Sequence, residues 1–261
     1  MEAQTQKKKW FSTGYDSAKQ EEQRLATMYG PNRIWIKSGG SAEFVFVDNE
    51  PVTLYEHNPK INGEWKNWIT CLTGMYDPVC CEKLGAKSKY YVGYWTVVDC
   101  TKWTDKKGNT HQYELKFFPG KHKTVKRFEM RTQTKPITGI LWKSTRLDDK
   151  SPNVGDEFEQ LREVDPAKLF ELANFKGKSL KEMFTKANGG DAEAAKWLTR
   201  YFQVQKSEDG KFIPKLVPFN YEELLAPKTP AEVRSILAGV EVESGDSDGG
   251  AKNGADEDVP F

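Results

Sequence analysis

From Arg33 to Val164 turn residues break the sequence into short runs of strand-forming composition, and this punctuation constrains the fold more than any other feature. Arg33–Lys37 and Ala42–Val47 flank Ser38-Gly39-Gly40 and read as a hairpin. In the second run Phe44 and Phe46 share one face, and Val45 and Val47 the other. Val52–Glu56 follows the turn Asp48–Pro51. Asn62-Gly63 signals a tight turn, with His57 before it and Trp65–Cys71 after it. Pro78–Leu84 reads as a short helical turn, and Lys89–Cys100 is the longest strand candidate. Asp105–Asn109 turns that strand back into Thr110–Phe118, which Pro119-Gly120 ends. Lys121–Arg131 reads as a basic helix with Val125 and Phe128 on its apolar side. Gly139–Leu147 and Glu157–Val164 form a further strand pair. The expectation is a mainly β, α+β fold built on a small, partly open barrel with one inserted helix.

After Asp165-Pro166 the pattern becomes helical, over Ala167–Ala173, Leu180–Ala187 and Ala192–Phe202, with Asp191 as a cap. Pro230 suits the first turn of a helix over Ala231–Leu237, where its missing amide costs little. Asp16 reads as a cap and Ala18–Met28 as a helix ended by Gly30-Pro31. The chain therefore divides into a basic arm with a short helix (1–30), a β core (31–165), a helical section expected to cover the open side of the barrel (166–238) and a disordered tail (239–261).

Charge is unevenly spread. The whole chain carries a formal +1. Residues 239–261 hold seven acids and one lysine, a net −6, which leaves +7 on residues 1–238. Lys83–Arg146 holds fifteen Lys or Arg residues against four acids, interleaved with ten aromatics. Basic groups hold phosphates and aromatic faces stack on bases, so the mixture suits single-stranded nucleic acid. Candidate phosphate contacts are Lys89, Lys102, Lys106, Lys107, Lys116, Lys121, Lys123, Lys126, Arg127 and Arg131; candidate stacking residues are Tyr90, Tyr94, Trp95, Trp103, Tyr113 and Phe117. Strand alternation implies that about half of the strand aromatics are core instead. No acidic catalytic set and no Gly-rich nucleotide loop stands out, so binding rather than catalysis is expected.

His57, Cys71, Cys80 and Cys81 lie within 25 residues. Thiolates with one imidazole suit a structural zinc ion, and such a site would brace a hairpin-rich region at 57–81. The alternative is a set of buried thiols beside a surface histidine. Adjacent Cys80 and Cys81 seldom both face one ion, and Cys100 is a further candidate fourth ligand.

The stretch from Tyr55 to Val98 resembles the zinc-containing core of the single-stranded DNA-binding proteins of T4-type bacteriophages. The parallel runs through His57, Asn62-Gly63-Glu64-Trp65, Thr70-Cys71, Tyr76-Asp77, Pro78-Val79-Cys80, Lys89-Tyr90 and Tyr94-Trp95. His57, Cys71 and Cys80 match three of that family's four zinc ligands; the first knuckle cysteine has no counterpart before Pro78, and Cys81 is extra. The resemblance implies an OB-fold whose cleft binds single-stranded DNA. It also implies a basic N-terminal arm that supports self-association on DNA, as in Lys7-Lys8-Lys9, and an acidic tail. The closing Asp256-Glu257-Asp258-Val259-Pro260-Phe261 is similar to the acidic tip of bacterial single-stranded DNA-binding proteins, which docks on partner proteins. Together these imply a protein that coats single strands in phage replication, recombination and repair. An RNA-binding translational regulator and a scaffold without DNA binding are the alternatives. No membrane-spanning run or signal peptide is expected, which suggests the cytoplasm, that of the host for a phage protein.

Overall fold

The structure, a computed structural model, describes residues 31–61, 64–65, 68–73, 77–104 and 108–238. The N-terminal arm and helix, the Asn62-Gly63 turn, Lys106, Lys107 and the 256–261 tip lie outside the described residues. In chain order the strands are β1 (Ser41–Phe46), β2 (Val52–His57), β3 (Lys60–Ile61), β4 (Glu64–Trp65), β5 (Ile69–Thr70), β6 (Tyr90–Asp99), β7 (Trp103–Thr104), β8 (Thr110–His111), β9 (Glu114–Lys121), β10 (Ile140–Thr145), β11 (Glu157–Glu163), β12 (Asn174–Phe175) and β13 (Lys178–Ser179). The helices are α1 (Val79–Leu84), α2 (His122–Thr132), α3 (Pro166–Leu172), α4 (Leu180–Asn188), α5 (Ala192–Tyr201), α6 (Tyr221–Leu224) and α7 (Pro230–Ile236).

This is a mixed α/β fold around one open sheet of nine strands, whose main path runs β11-β10-β1-β6-β9-β12-β13. β6 organises it. Its ten residues, YYVGYWTVVD, are mostly aromatic or β-branched, the types that fit a buried pleated surface. β9 pairs with β6 from Val92↔Lys121 to Asp99↔Glu114. On the opposite edge β1 and β2 lie in tandem, with Phe46↔Val97 followed by Val52↔Tyr94. A bulging loop at 47–51 separates the two pairings. The described strands do not close into a barrel.

Two cores cover the two faces of the sheet. Phe44, Phe46, Trp95, Phe118, Phe128 and Trp142 pack on the α2 side. Val45, Tyr94, Val98, Leu115 and Phe117 pack on the other side against side chains of α3, α4 and α5, with Phe219 and Tyr221. The helical section thus lies against a face of the sheet. Asp165, Ser179, Asp191 and Thr229 each accept a first-turn amide from the helix that follows.

Three expectations are corrected. Arg33–Lys37 forms no hairpin with β1, because β6 and β10 occupy both edges of that strand. Instead Ile34 N donates to Phe117 O at 2.8 Å, and Ile36 N to Asn153 O at 2.8 Å. Pro119-Gly120 does not end β9, which runs through both to Lys121. Past the Arg33↔Phe117 bridge no described strand pairs with the outer side of β9, so a missing amide is tolerated there. Finally, Thr110–Phe118 is not one strand: Tyr113 adopts φ 58° and separates β8 from β9.

Candidate metal centre and aromatic surface

His57 ends β2 and pairs with Ile69 of β5, and the Cys71 amide donates to Tyr55 O at 2.7 Å. This short ladder brings His57 and Cys71 side by side. Across from them, α1 carries Cys80 and Cys81 in its first turn, with Asp77 Oδ1 accepting from the Val79 amide at 2.8 Å. The ligand atoms of all four residues lie within 4.8 Å of one another. The Cys71–Cys81 Sγ separation is 3.5 Å, the Cys71–Cys80 separation 3.6 Å, and Cys81 Sγ lies 3.6 Å from His57 Nε2.

The three shortest of these separations match the edges of a tetrahedral ligand set. Sulfur ligands at about 2.3 Å and a nitrogen at about 2.0 Å put neighbouring donors roughly 3.5–3.8 Å apart. The imidazole is set in the matching tautomer. Ser88 Oγ donates its one proton to Gly85 O at 2.8 Å, so it accepts from His57 Nδ1 at 2.8 Å. Nε2 then keeps its lone pair for the thiols, as outer partners of metal-bound histidines commonly arrange. Burial, and then the nearby Lys89 charge, holds the His57 pKa below its ordinary value, which favours the neutral ligand form. The Leu72 amide donates to Cys80 Sγ at 3.2 Å, a contact that stabilises a thiolate. The donor set could therefore hold a metal ion. The expected difficulty with adjacent cysteines is resolved by the helix: its first turn lies beside the β2–β5 ladder, so both thiols face the same point. Cys100 is elsewhere, its thiol directed to Val98 O and pushed up to about 12 by burial and then by Asp99. It is not a ligand of this cluster.

The residues expected to meet DNA separate into three groups. Tyr94, Trp95 and Phe117 are 0%, 1% and 3% exposed, so their faces are engaged by the core and not open to a base. Tyr94 and Tyr90 direct their hydroxyls to the buried Glu56 carboxylate, the latter at 3.1 Å, and Arg33 pairs with that carboxylate at 3.1 Å. Arg33 also lies 3.4 Å from the Trp68 ring centroid. Burial keeps both phenols protonated, their pKa values raised well above normal. Lys116 is likewise occupied, buried with Asp99 at 2.8 Å and Glu114 at 3.5 Å. A buried, paired lysine is a poor phosphate contact.

The second group belongs to α2. Lys126 pairs with Glu129 at 2.9 Å, Arg127 donates to the Asp156 carbonyl, and Arg131 donates to Gln160. Lys123 is exposed at the start of the helix. The third group sits at the two ends of the β6–β9 pair, about 30 Å apart for ten residues of strand. At one end are Lys89, Tyr90 and Lys121. At the other are exposed Lys102, half-buried Tyr113 and Trp103, which is 40% exposed and stacked on His111 at 4.2 Å.

Three aromatics absent from the expected set stand beside the His/Cys cluster. Tyr55, 49% exposed, pairs across strands with Tyr91, ring centroids 5.7 Å apart. Tyr91 in turn meets exposed His122 at 5.9 Å. Lys89 Nζ lies 5.1 Å from the Tyr55 ring. The signal that could have found Tyr91 is alternation counted along β6 from Trp95, whose face it shares at the strand's end; Tyr55 and His122 join it only through strand pairing and the start of α2.

Among the described residues no helix is long and apolar enough to cross a membrane. Comparisons of the chain with protein-family models, with curated proteins and with solved structures give no match in any of the three.

Proposed function

We propose that this protein binds single-stranded DNA with low sequence specificity, coating and protecting it during phage replication, recombination and repair. The observation that carries the reading is the open row Tyr55–Tyr91–His122, flanked by Lys89 and by the exposed Lys123 beside His122. Aromatic faces at that spacing stack on unpaired bases of any identity, and the lysines hold the backbone. Exposed Trp103 and Lys102 offer a second, separate contact point at the far end of the β6–β9 pair. The open sheet serves as an OB-like platform, and a zinc ion on His57, Cys71, Cys80 and Cys81 braces the end that carries the row. Four protein ligands leave no open coordination position, so the ion's role is structural, and the proposed act of the protein is binding. The acidic 256–261 tip recruits replication, recombination and repair proteins, with Phe261 filling an apolar pocket and the acids meeting basic groups.

Titration of intrinsic fluorescence with matched single-stranded DNA, duplex DNA and RNA across salt tests this. Preferential quenching by single-stranded DNA, with affinity falling steeply as salt rises, is expected. Preference for RNA would favour a translational regulator, and no quenching by any strand would leave a scaffold.

A further inference from the structure

The last described helix closes over the His/Cys cluster. α7 starts rigidly: the Thr229 hydroxyl accepts from the Glu232 amide, and the Glu232 carboxylate accepts from the Thr229 amide at 2.8 Å. Its Val233 and the following Leu237 are both fully buried. They join Ile69, Leu72, Val79 and the ligands Cys71 and Cys80 in one apolar cluster, separate from the two cores that flank the sheet. Arg234 donates to Asp77 Oδ2 at 2.7 Å, while the other oxygen of that carboxylate accepts from the Val79 amide. One carboxylate therefore joins α7 to the start of the ligand helix, across 157 residues of sequence.

We propose that α7 is an apolar cap that controls access to the metal centre, a proposal that rests on the zinc reading above. Metal leaves a thiolate site when water or a competing ligand reaches the ion. Val233 and Leu237 occupy one approach with hydrocarbon, and the more accessible Cys81 marks where entry remains. The coupling is reciprocal: a cap that favours the loaded site is itself held in place by the metal. The loaded centre thus anchors Leu237 and Ala238, directly before the acidic segment 239–261.

The test is zinc release from the loaded full-length chain into excess chromogenic chelator, comparing the wild type with Leu237→Ala and Arg234→Gln. Both variants should load one zinc and keep the wild-type circular dichroism. Leu237→Ala should release zinc about tenfold faster or more, the scale on which outer contacts tune metal sites, and Arg234→Gln should show a smaller acceleration. Limited proteolysis should cut the wild type between Leu225 and Ala238 only after zinc is stripped. Wild-type release rates in both variants, or identical cleavage with and without zinc, would overturn the cap while leaving the metal reading intact. A wild-type chain that takes up no zinc would overturn both.

Discussion

Tyr91 and Trp95 lie four residues apart on one face of β6, and the glycine between them marks a change of surroundings. A Cβ at Gly93 would sit 2.7 Å from Val125 Cγ2 and 3.1 Å from Pro51 Cβ. A Cβ at its partner Gly120 would be equally tight, 2.8 Å from Trp95 Cζ3. The two glycines make a dent in which the start of α2 rests. Trp95 lies under the helix, while Tyr91 sits beyond it beside His122. The two residues should fail differently when truncated. Tyr91→Ala should weaken oligonucleotide binding by roughly 1–3 kcal/mol, the value of one stacked base, with an unchanged melting temperature. Trp95→Ala should cost about 3–5 kcal/mol of stability in denaturant titration, with any binding loss following from unfolding. Alternation puts both rings on one face, but of the two only Trp95 is singled out in the sequence; which of them a helix covers depends on Gly93 and Gly120, contacts formed by residues distant in sequence.

At the scale of elements, the loop between β1 and β2 is tied to the C-terminal section. Asp48 accepts from the Thr96 amide at 3.1 Å and from the Tyr221 hydroxyl, and Thr96 Oγ1 accepts from the Phe219 amide at 2.8 Å. Burial is the main cause that raises the Asp48 pKa from 3.8 to about 7, against the lowering effect of its Tyr221 bond. The folded state therefore holds a proton that the unfolded chain has lost. Stability from this group is greatest below pH 4 and declines as pH rises from about 4 to about 7, with a slope no steeper than about 1.4 kcal/mol per pH unit. Asp48→Asn should flatten that part of a stability–pH curve; an unchanged curve would show that Asp48 is not its source. Local signals revealed most individual elements, including β6, the β10–β11 pair, α2 and the capped helices. They misjudged residues whose conformation depends on neighbours: Pro119, tolerated because it sits on an outer edge, Tyr113 at positive φ, and Arg33–Lys37, displaced from β1 by two competing strands.

For the whole molecule, the cluster gathers ligands from β2, the segment after β5 and α1, then packs beneath α7. Residue chemistry made the four donors visible in the sequence. Their convergence was less visible, because it depends on a two-residue ladder and a helix turn meeting in space. Metal analysis of untagged protein should give one zinc per chain, lost in Cys71→Ser and retained in Cys100→Ser. Stripping the zinc should lower the melting temperature, since a structural metal contributes its binding energy to folding. The central claim, that the row beside this cluster receives unpaired bases, is tested most directly by photocrosslinking a single strand that carries 5-iododeoxyuridine and mapping the adducts by mass spectrometry. Adducts should fall on Tyr55, Tyr91 or His122, with fewer on Trp103 and none on Tyr94, Trp95 or Phe117. Adducts confined to α4 and α5, or no adduct under conditions where the strand is bound, would contradict the account.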